Sequence, residues 1–501
     1  MLNGEYTRDT QSITLIRKLK EITQELEEKT KIIIFVNDLR LFMAMIPGGK
    51  VIGEKTANDL TKHPVYYETN HIQFRNFSLF HISDKGNGIG DIFDMRTYLR
   101  ALAEKIGYKT INACRYTAGW MVKRICCKGI EEEIKQWNYD HKHFMNTVEE
   151  YEDMLAGCKT GLLKANKGIH KDVLMIDISS AYLSKFFHLD CFPIGRNRVY
   201  TGIRGIKKLL KGEWFHVVIE DENDKEYSMN CQDGLIGFYK MDVETYNKMG
   251  KDVIKYVVDK FKQGYEVRVW DSTEYGKIPD FYLETPKEMY IAKQRTNGIY
   301  KESAKIITEL VYGKALQKHE FADDKEVYKY FTRPENFVRP EWSMIVNSAV
   351  RLQMAEMIEK LGGSYYHDTD GIETQFTPEN ARIVVKENKR IEKFNIEHNL
   401  PILLGTWKIE ALHATITIIG RKQRLYIDDN GFLTVKIAGV NKKYISEHMK
   451  ENKVLNPIEY FNKQQTVEIP NGYHYVKGYG FIEASKKQVI IGKDEGYESD
   501  T

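Results

Sequence analysis

The sequence predicts an α+β chain, and three stretches carry that prediction. Residues 365–376 place aromatic and β-branched residues on either side of Asp368-Thr369-Asp370-Gly371, which is how a β-hairpin reads. Val173-Leu174-Met175-Ile176 is an apolar run that closes on Asp177 and predicts a buried strand. Residues 286–295 and 299–317 read as two helices joined by a turn at Thr296-Asn297-Gly298, an αα-hairpin.

Each stretch carries candidate chemistry. Asp368 and Asp370 lie two apart, so an extended tip puts both carboxylates on one face. Carboxylates held together repel unless a cation separates them, which suits a Mg²⁺ site on the hairpin; a solvated Asp-Thr-Asp turn fits the same residues. Asp177, just past a buried strand, can meet that hairpin, although Asp177 and the serines after it also suit a helix N-cap. Lys293 falls near the end of the first helix of the αα-hairpin and Lys305 in the second, so both can face one groove. Lys305, Glu309 and Tyr312 share a helix face, opposite Ile306, Ile307, Leu310 and Val311. Two lysines and a tyrosine suit a triphosphate with a base or sugar above it; the alternative is a plain solvated basic face.

Taken in order, D-x-x-S-x-Y, K-x6-Y-G and Y-x-D-T-D resemble motifs A, B and C of family B DNA polymerases. The closer likeness is to the protein-primed branch found in phages and linear plasmids. Asp177 to Tyr182 is similar to that branch's D-x-x-S-L-Y-P, with Leu183 in place of proline. Lys305 to Gly313 is similar to K-x-x-x-N-x-x-Y-G, with Glu309 at the asparagine position. Tyr366 to Gly371 is similar to Y-x-D-T-D-S, with glycine for the last serine. Arg424-Leu425-Tyr426 resembles K-x-Y, after a Leu404-Gly405-Thr406-Trp407 that also fits. The likeness covers Cys158 to the C-terminus well and the N-terminal third poorly.

The resemblance implies a right-hand fold of palm, fingers and thumb, preceded by a degenerate exonuclease-like α/β domain. It divides the chain into 1–150 (exonuclease-like), 151–285 (palm with insertion), 286–317 (fingers), 318–430 (palm) and 431–501 (thumb). It implies template-directed DNA synthesis with two Mg²⁺ ions, Mn²⁺ being an acceptable substitute, on Asp177, Asp370 and the carbonyl of Ile178. Asp368 would stand nearby. Lys293 and Lys305 would hold the phosphates and steady the leaving pyrophosphate. Tyr182 would lie under the sugar and exclude a 2′-hydroxyl, and Tyr312 would stack on the nascent pair. Ser180, Gly313, Arg424 and Tyr426 would contact DNA, the last two gripping the primer-terminal backbone. The implied partners are primer-template DNA, deoxynucleoside triphosphates and a terminal priming protein. A catalytically inactive nucleic-acid-binding relative and an untemplated nucleotidyltransferase remain open at this point.

The 501 residues, 42% hydrophobic and 12% aromatic, suffice for a large core and several subdomains. A net charge of +3 does not announce a nucleic-acid partner, so basic residues would have to be concentrated locally, as at 421–424 and 204–211. Six cysteines include no C-x-x-C pair, which argues against zinc. No apolar run approaches the roughly 20 residues that span a bilayer, and a reduced cytoplasm, the bacterial host's for a phage-encoded chain, is the expected location.

Along the N-terminal third, a helix over 13–29, a strand over 31–36 and a hairpin over 65–74 with Thr69-Asn70 at its turn predict a small α/β domain. An editing exonuclease would need acidic metal ligands there. No D-x-E precedes the first helix, Asn37-Asp38 is followed by apolar Leu41, Phe42 and Met43, and residues 114–123 hold no acid. The expectation is a scaffold without 3′–5′ activity, or an unrelated α/β domain. Cys158-Lys159-Thr160-Gly161 lies where the family has Y-x-G-G, and only the last glycine survives. Strands over 214–220 and 265–270 and a helix over 242–262 predict a mixed insertion between Asp177 and the lysine hairpin. A helix over 344–361, stopped by Gly362-Gly363, leads into the Asp368–Asp370 hairpin, and strands surround Asn430-Gly431.

Overall fold

A computed structural model describes residues 130–142, 145–157, 161–220, 252–295, 298–316, 319–333, 339–438, 440 and 442–470, together with nine further strands between residues 32 and 491. The chain divides into two compact units, one of residues 1–86 with 466–489, the other of 87–465 with 490–501. In the first, strands Ile32–Val36, Lys50–Ile52, Tyr66–Glu68 and Ile72–Asn76 form a four-stranded sheet. Ile32–Val36 runs parallel to Ile72–Asn76, and Tyr66–Glu68 pairs antiparallel with it, so the hairpin expected around Thr69-Asn70 is present. The helix expected over 13–29 and the acidic positions sought in the N-terminal third lie outside the described residues.

The second unit is built on a seven-stranded sheet in the order Leu433–Ile437, Gln423–Ile427, Trp407–Gly420, Gly168–Ile178, Gly371–Gln375, Tyr366–Asp368, Leu163–Ala165. Every neighbouring pair for which a register is defined runs antiparallel. Gly168–Ile178 is central, and both of its faces are covered, which is why Val173 to Ile176 reads as an unbroken apolar run. Alternation still sorts the side chains. Leu174, Ile176 and Ile178 join a core with Val350, Met354, Met357 and Ile358 of helix Pro340–Lys360 and Val384 and Ile391 of helix Pro378–Glu397. Val173 and Met175 pack on the other face with Tyr366, Ala411, Ala414 and Ile416. Asp177 follows them in parity.

Helix Pro340–Lys360 begins one turn earlier than its apolar pattern suggests, because Pro340 occupies its first turn, where a missing N–H costs nothing. It ends as expected: Gly362 and Gly363 both take positive φ, and Gly363 N–H closes on the Ile358 carbonyl at 2.9 Å. The lysine hairpin is present as helices Asp280–Arg295 and Gly298–Ala315. Between Asp177 and that hairpin, a five-stranded antiparallel sheet containing His216–Glu220 and Glu266–Ser272 packs with helices Gly202–Lys211 and Val253–Lys262. Arg268 anchors it: its guanidinium donates twice to Asp153 of helix Val148–Ala156, at 2.9 and 3.0 Å, and Trp270 Nε1 donates to the same carboxylate at 2.8 Å. Among the described residues no helix is long and apolar enough to cross a membrane.

Helix Pro378–Glu397 holds the chain that enters strand Trp407–Gly420. Asn388 accepts from Trp407 N–H at 2.7 Å and donates to the Trp407 carbonyl at 2.8 Å. Two turns on, Asn395 donates to the carbonyls of Ile402 and Leu404, both at 2.8 Å. The clamped segment in turn pairs with the residue after Ile178: Ser179 N–H donates to Thr406 O at 2.8 Å, and Gly405 N–H to Ser179 O at 2.9 Å. Replacing Asn388 by alanine leaves both Trp407 backbone groups without that partner in a largely buried place. The expected loss is about 2–3 kcal/mol of unfolding free energy, read by denaturant titration. A loss under about 0.5 kcal/mol means that other groups fix the segment.

Candidate functional site

Antiparallel pairing sets the strand positions of the three aspartates side by side. Gly371 stands opposite Asp177, and Asp368 opposite Gly371 within the hairpin. Ile178 N–H donates to the Asp370 carbonyl at 2.9 Å, tying the strand end to the turn. Thr369 sits in the left-handed region at φ 63°, a strained setting for a β-branched residue. The turn is also packed from below: a Cβ on Gly161 would lie 2.4 Å from Thr369 Cα, and Thr369 N–H donates to Leu162 O at 3.0 Å.

The carboxylates differ in their partners. Asp368 accepts from Tyr366 Oη at 3.3 Å and from Thr369 Oγ1 at 3.0 Å. Burial pushes the Asp177 carboxyl up to about 7, and the neighbouring Asp370 and Glu410 charges add to that. Burial likewise pushes Asp370 up to about 6, with Asp368 next in effect. Two part-buried carboxyls that resist ionisation beside each other have the chemistry to hold a hard divalent cation, with the Ile178 carbonyl alongside. Among the described residues no group of three or more His, Cys, Asp or Glu side chains converges as a ready-made metal cage. A site of this kind would rely on substrate oxygens and water for the rest of its coordination, as Mg²⁺ sites commonly do.

The lysine hairpin faces this turn. Lys293 Nζ donates to Ser180 Oγ at 3.1 Å, and Tyr290 Oη lies 3.2 Å from Ser179 Oγ. Burial lowers the Lys293 ammonium, against the pull of Glu309 and with repulsion from Lys305 and Lys301. Lys305 Nζ lies 3.8 Å from Glu309 Oε1, an exposed i,i+4 pair worth about 0.3–0.5 kcal/mol. Glu309 also acts on Asp370, so it stands within electrostatic reach of the acidic turn. The rings of Tyr182 and Tyr312 stack with centroids 4.2 Å apart and planes 18° from parallel. That spacing is one ring against another, so no base fits between them. Burial, then Asp370, raises the Tyr182 phenol to about 12, which keeps it neutral. Gly313 is exposed, and a Cβ there would meet nothing.

Asp177, Asp370, Ser180, Lys293, Tyr182 and Tyr312 thus converge, with Asp368 and Lys305 adjoining. Arg424 is held on the sheet: its Nε donates to buried Glu373 at 2.6 Å, and its guanidinium lies 4.1 Å from the Tyr366 ring centroid. Tyr426 packs partly buried against the sheet core, with Lys436 Nζ 5.5 Å from its ring centroid. Glu410, Lys408 and Lys436 were not singled out from sequence, yet all three act on Asp177. Glu410 falls where the register of strand Trp407–Gly420 shifts between Ile409 and Ala411, a bulge that re-aims its side chain. It pairs with Lys408 at 3.4 Å and Lys436 at 3.6 Å.

No protein-family model matches the chain, and no curated protein sequence matches it. Its fold is similar to that of phi29 DNA polymerase in several solved structures. The complex with primer-template DNA superposes with a TM-score of 0.56 at 13% identity, covering 94% of this chain and 93% of that one. The ternary complex with primer-template DNA and incoming nucleotide gives 0.53 at 14% identity over the same shares. The complex with single-stranded DNA gives 0.52 at 13%. At such identity the likeness is one of fold.

The raised carboxyls set a pH dependence. Unfolded aspartates ionise near pH 4, whereas Asp177 and Asp370 in the fold do so near 7 and 6. Between these values the folded state binds more protons, so their contribution is present at low pH and is lost as pH rises from about 4 to 7. In chelator, the melting temperature of Asp370→Asn should therefore fall less than that of the wild type between pH 5 and 8. Adding Mg²⁺ at pH 8 should raise the wild-type melting temperature and leave the variant nearly unmoved. Identical pH profiles for the two proteins would remove the repulsive pair.

Proposed function

We propose that the chain is a template-directed DNA polymerase that adds deoxynucleotides to a 3′-hydroxyl, without 3′–5′ proofreading, in phage or mobile-element DNA replication. The observation that carries this reading is the meeting of Asp177 and Asp370 at adjacent strand ends, with Lys293 of the helical hairpin hydrogen-bonded to Ser180, three residues after Asp177. The solved structures of similar fold hold primer-template DNA and incoming nucleotides, and the same partners are proposed here. On this reading the seven-stranded sheet is a palm, helices Asp280–Arg295 and Gly298–Ala315 are fingers, the chain beyond residue 430 is a thumb, and residues 1–150 are an exonuclease-like scaffold. A priming protein is a proposed partner through the resemblance alone.

Asp177, Asp370 and the Ile178 carbonyl would hold two Mg²⁺ ions, which when bound would activate the 3′-oxygen and neutralise the triphosphate. The chain's own side chains do the rest. Lys293, partly desolvated and bonded to Ser180 Oγ, would exchange that hydroxyl for a phosphate oxygen. There it would offset charge growing on the pyrophosphate as the α-phosphorus bond to it breaks. Lys305 would assist from the next helix once free of Glu309. Tyr182, neutral and mostly buried, would form the floor under the sugar, and Tyr312 would face the base pair.

A primer-extension assay with and without template tests the reading. Wild-type protein should extend only with template and divalent cation, and Asp177→Asn should lower extension by at least about 10³-fold while DNA binding persists. Template-independent addition would move the chain to an untemplated nucleotidyltransferase, and DNA binding without extension to an inactive relative. A second expectation concerns Glu309. Because it pairs with Lys305 and repels phosphate, Glu309→Asn should lower the KM for nucleotides about two- to threefold with little change in kcat, matching an exposed ion pair. A KM that is unchanged or higher would give Glu309 no inhibitory part.

A further inference from the structure

Helix Pro340–Lys360 touches the tyrosine pair through residues that no motif marks. Asn347, only 4% exposed, donates from Nδ2 to Tyr312 Oη at 3.1 Å. One turn earlier Ser343 Oγ donates to the Tyr312 carbonyl at 3.4 Å. One turn later Arg351 lies near enough to Tyr182 to ease ionisation of its phenol. Residues 343, 347 and 351 recur every four positions and so form one stripe along the helix, directed at both members of the stack. Their helix is held by the main core through Val350 and Met354, so the stripe is a fixed reference. Tyr312 belongs instead to the helical hairpin, which meets the Ser179-Ser180 turn through Tyr290 and Lys293.

We propose that Asn347 is a positioning residue for nucleotide selection, fixing the Tyr312 ring against Tyr182 by the hydrogen bond to its hydroxyl. This rests on the polymerase reading, in which the two rings bound the sugar and base of the incoming nucleotide. A tyrosine ring on a helix can swing about two side-chain torsions, and stacking alone leaves it free to slide in its plane. The hydroxyl bond fixes the far end of the ring and removes that slide. The ring edge of Tyr182 that would meet a 2′-hydroxyl is then held at one depth. Loss of the bond lets the pair shift and widens the floor, so ribonucleotides gain more than deoxynucleotides lose. Asn347 touches no substrate in this account and acts only through Tyr312.

The test is a double-mutant cycle in primer extension, reading kcat and KM for a deoxynucleotide and its ribonucleotide with Tyr312→Phe, Asn347→Ala and both together. Tyr312→Phe keeps the ring and the stack, so it folds even where Asn347→Ala loses stability. Each single variant should lower the deoxy-to-ribo preference about two- to tenfold, the effect of one net hydrogen bond, and the double variant should lower it no further. Preference unmoved in Tyr312→Phe, or effects that multiply in the double variant, would overturn the inference, as would a fall in melting temperature with selectivity intact. A wild type that extends no primer would instead overturn the polymerase reading and this inference with it.

Discussion

The site depends on one constraint: the antiparallel register that sets Gly371 opposite Asp177 and ties Ile178 N–H to the Asp370 carbonyl. A slip of one residue would turn Asp177 toward the helical layer with Leu174, Ile176 and Ile178, where nothing could solvate it. The register is secured from both sides. Helix Pro340–Lys360 delivers the hairpin through a glycine stop, and helix Pro378–Glu397 clamps the following strand through Asn388 and Asn395. Hydrophobic burial on both sheet faces thus supplies the free energy that holds two carboxylates in mutual repulsion, a cost a bound cation would relieve.

The turn Ser179-Ser180 joins the sheet to the helical hairpin. Its backbone belongs to the sheet, through Thr406 and Gly405, while its hydroxyls belong to the helical hairpin, through Tyr290 and Lys293. Ser180 reaches this arrangement at φ 52°, outside the range most side chains prefer. The two serines thus divide their attachments, main chain to the sheet and side chain to the hairpin.

Much of this was legible in the sequence where local pattern decides. The unbroken run 173–176, the polar hairpin tip, the Gly362-Gly363 stop and the Asn430-Gly431 turn each fixed an element to within a few residues. Spacing also anticipated the Lys305–Glu309 pair, since i,i+4 is a local relation. What could not be read were partners far apart in the chain. Arg424 reads as a basic residue next to a strand, and nothing local says that Glu373, 51 residues away, takes it. Glu410 reads as an ordinary strand residue until the bulge turns it toward Asp177. Asn347 sits inside a helix among apolar residues and Asp153 beside other acids, and in neither place does sequence give a buried polar group an address.

Gly161 is the one residue of Cys158-Lys159-Thr160-Gly161 that matches the resembled Y-x-G-G, and the fold gives it a reason of its own. That glycine lies where the backbone of one strand's approach presses on the strained residue between Asp368 and Asp370, with no room for even a methyl group. Steric exclusion beneath the acidic turn therefore asks for glycine at this position whatever the rest of the chain does, because any side chain here would displace the residue that separates Asp368 from Asp370.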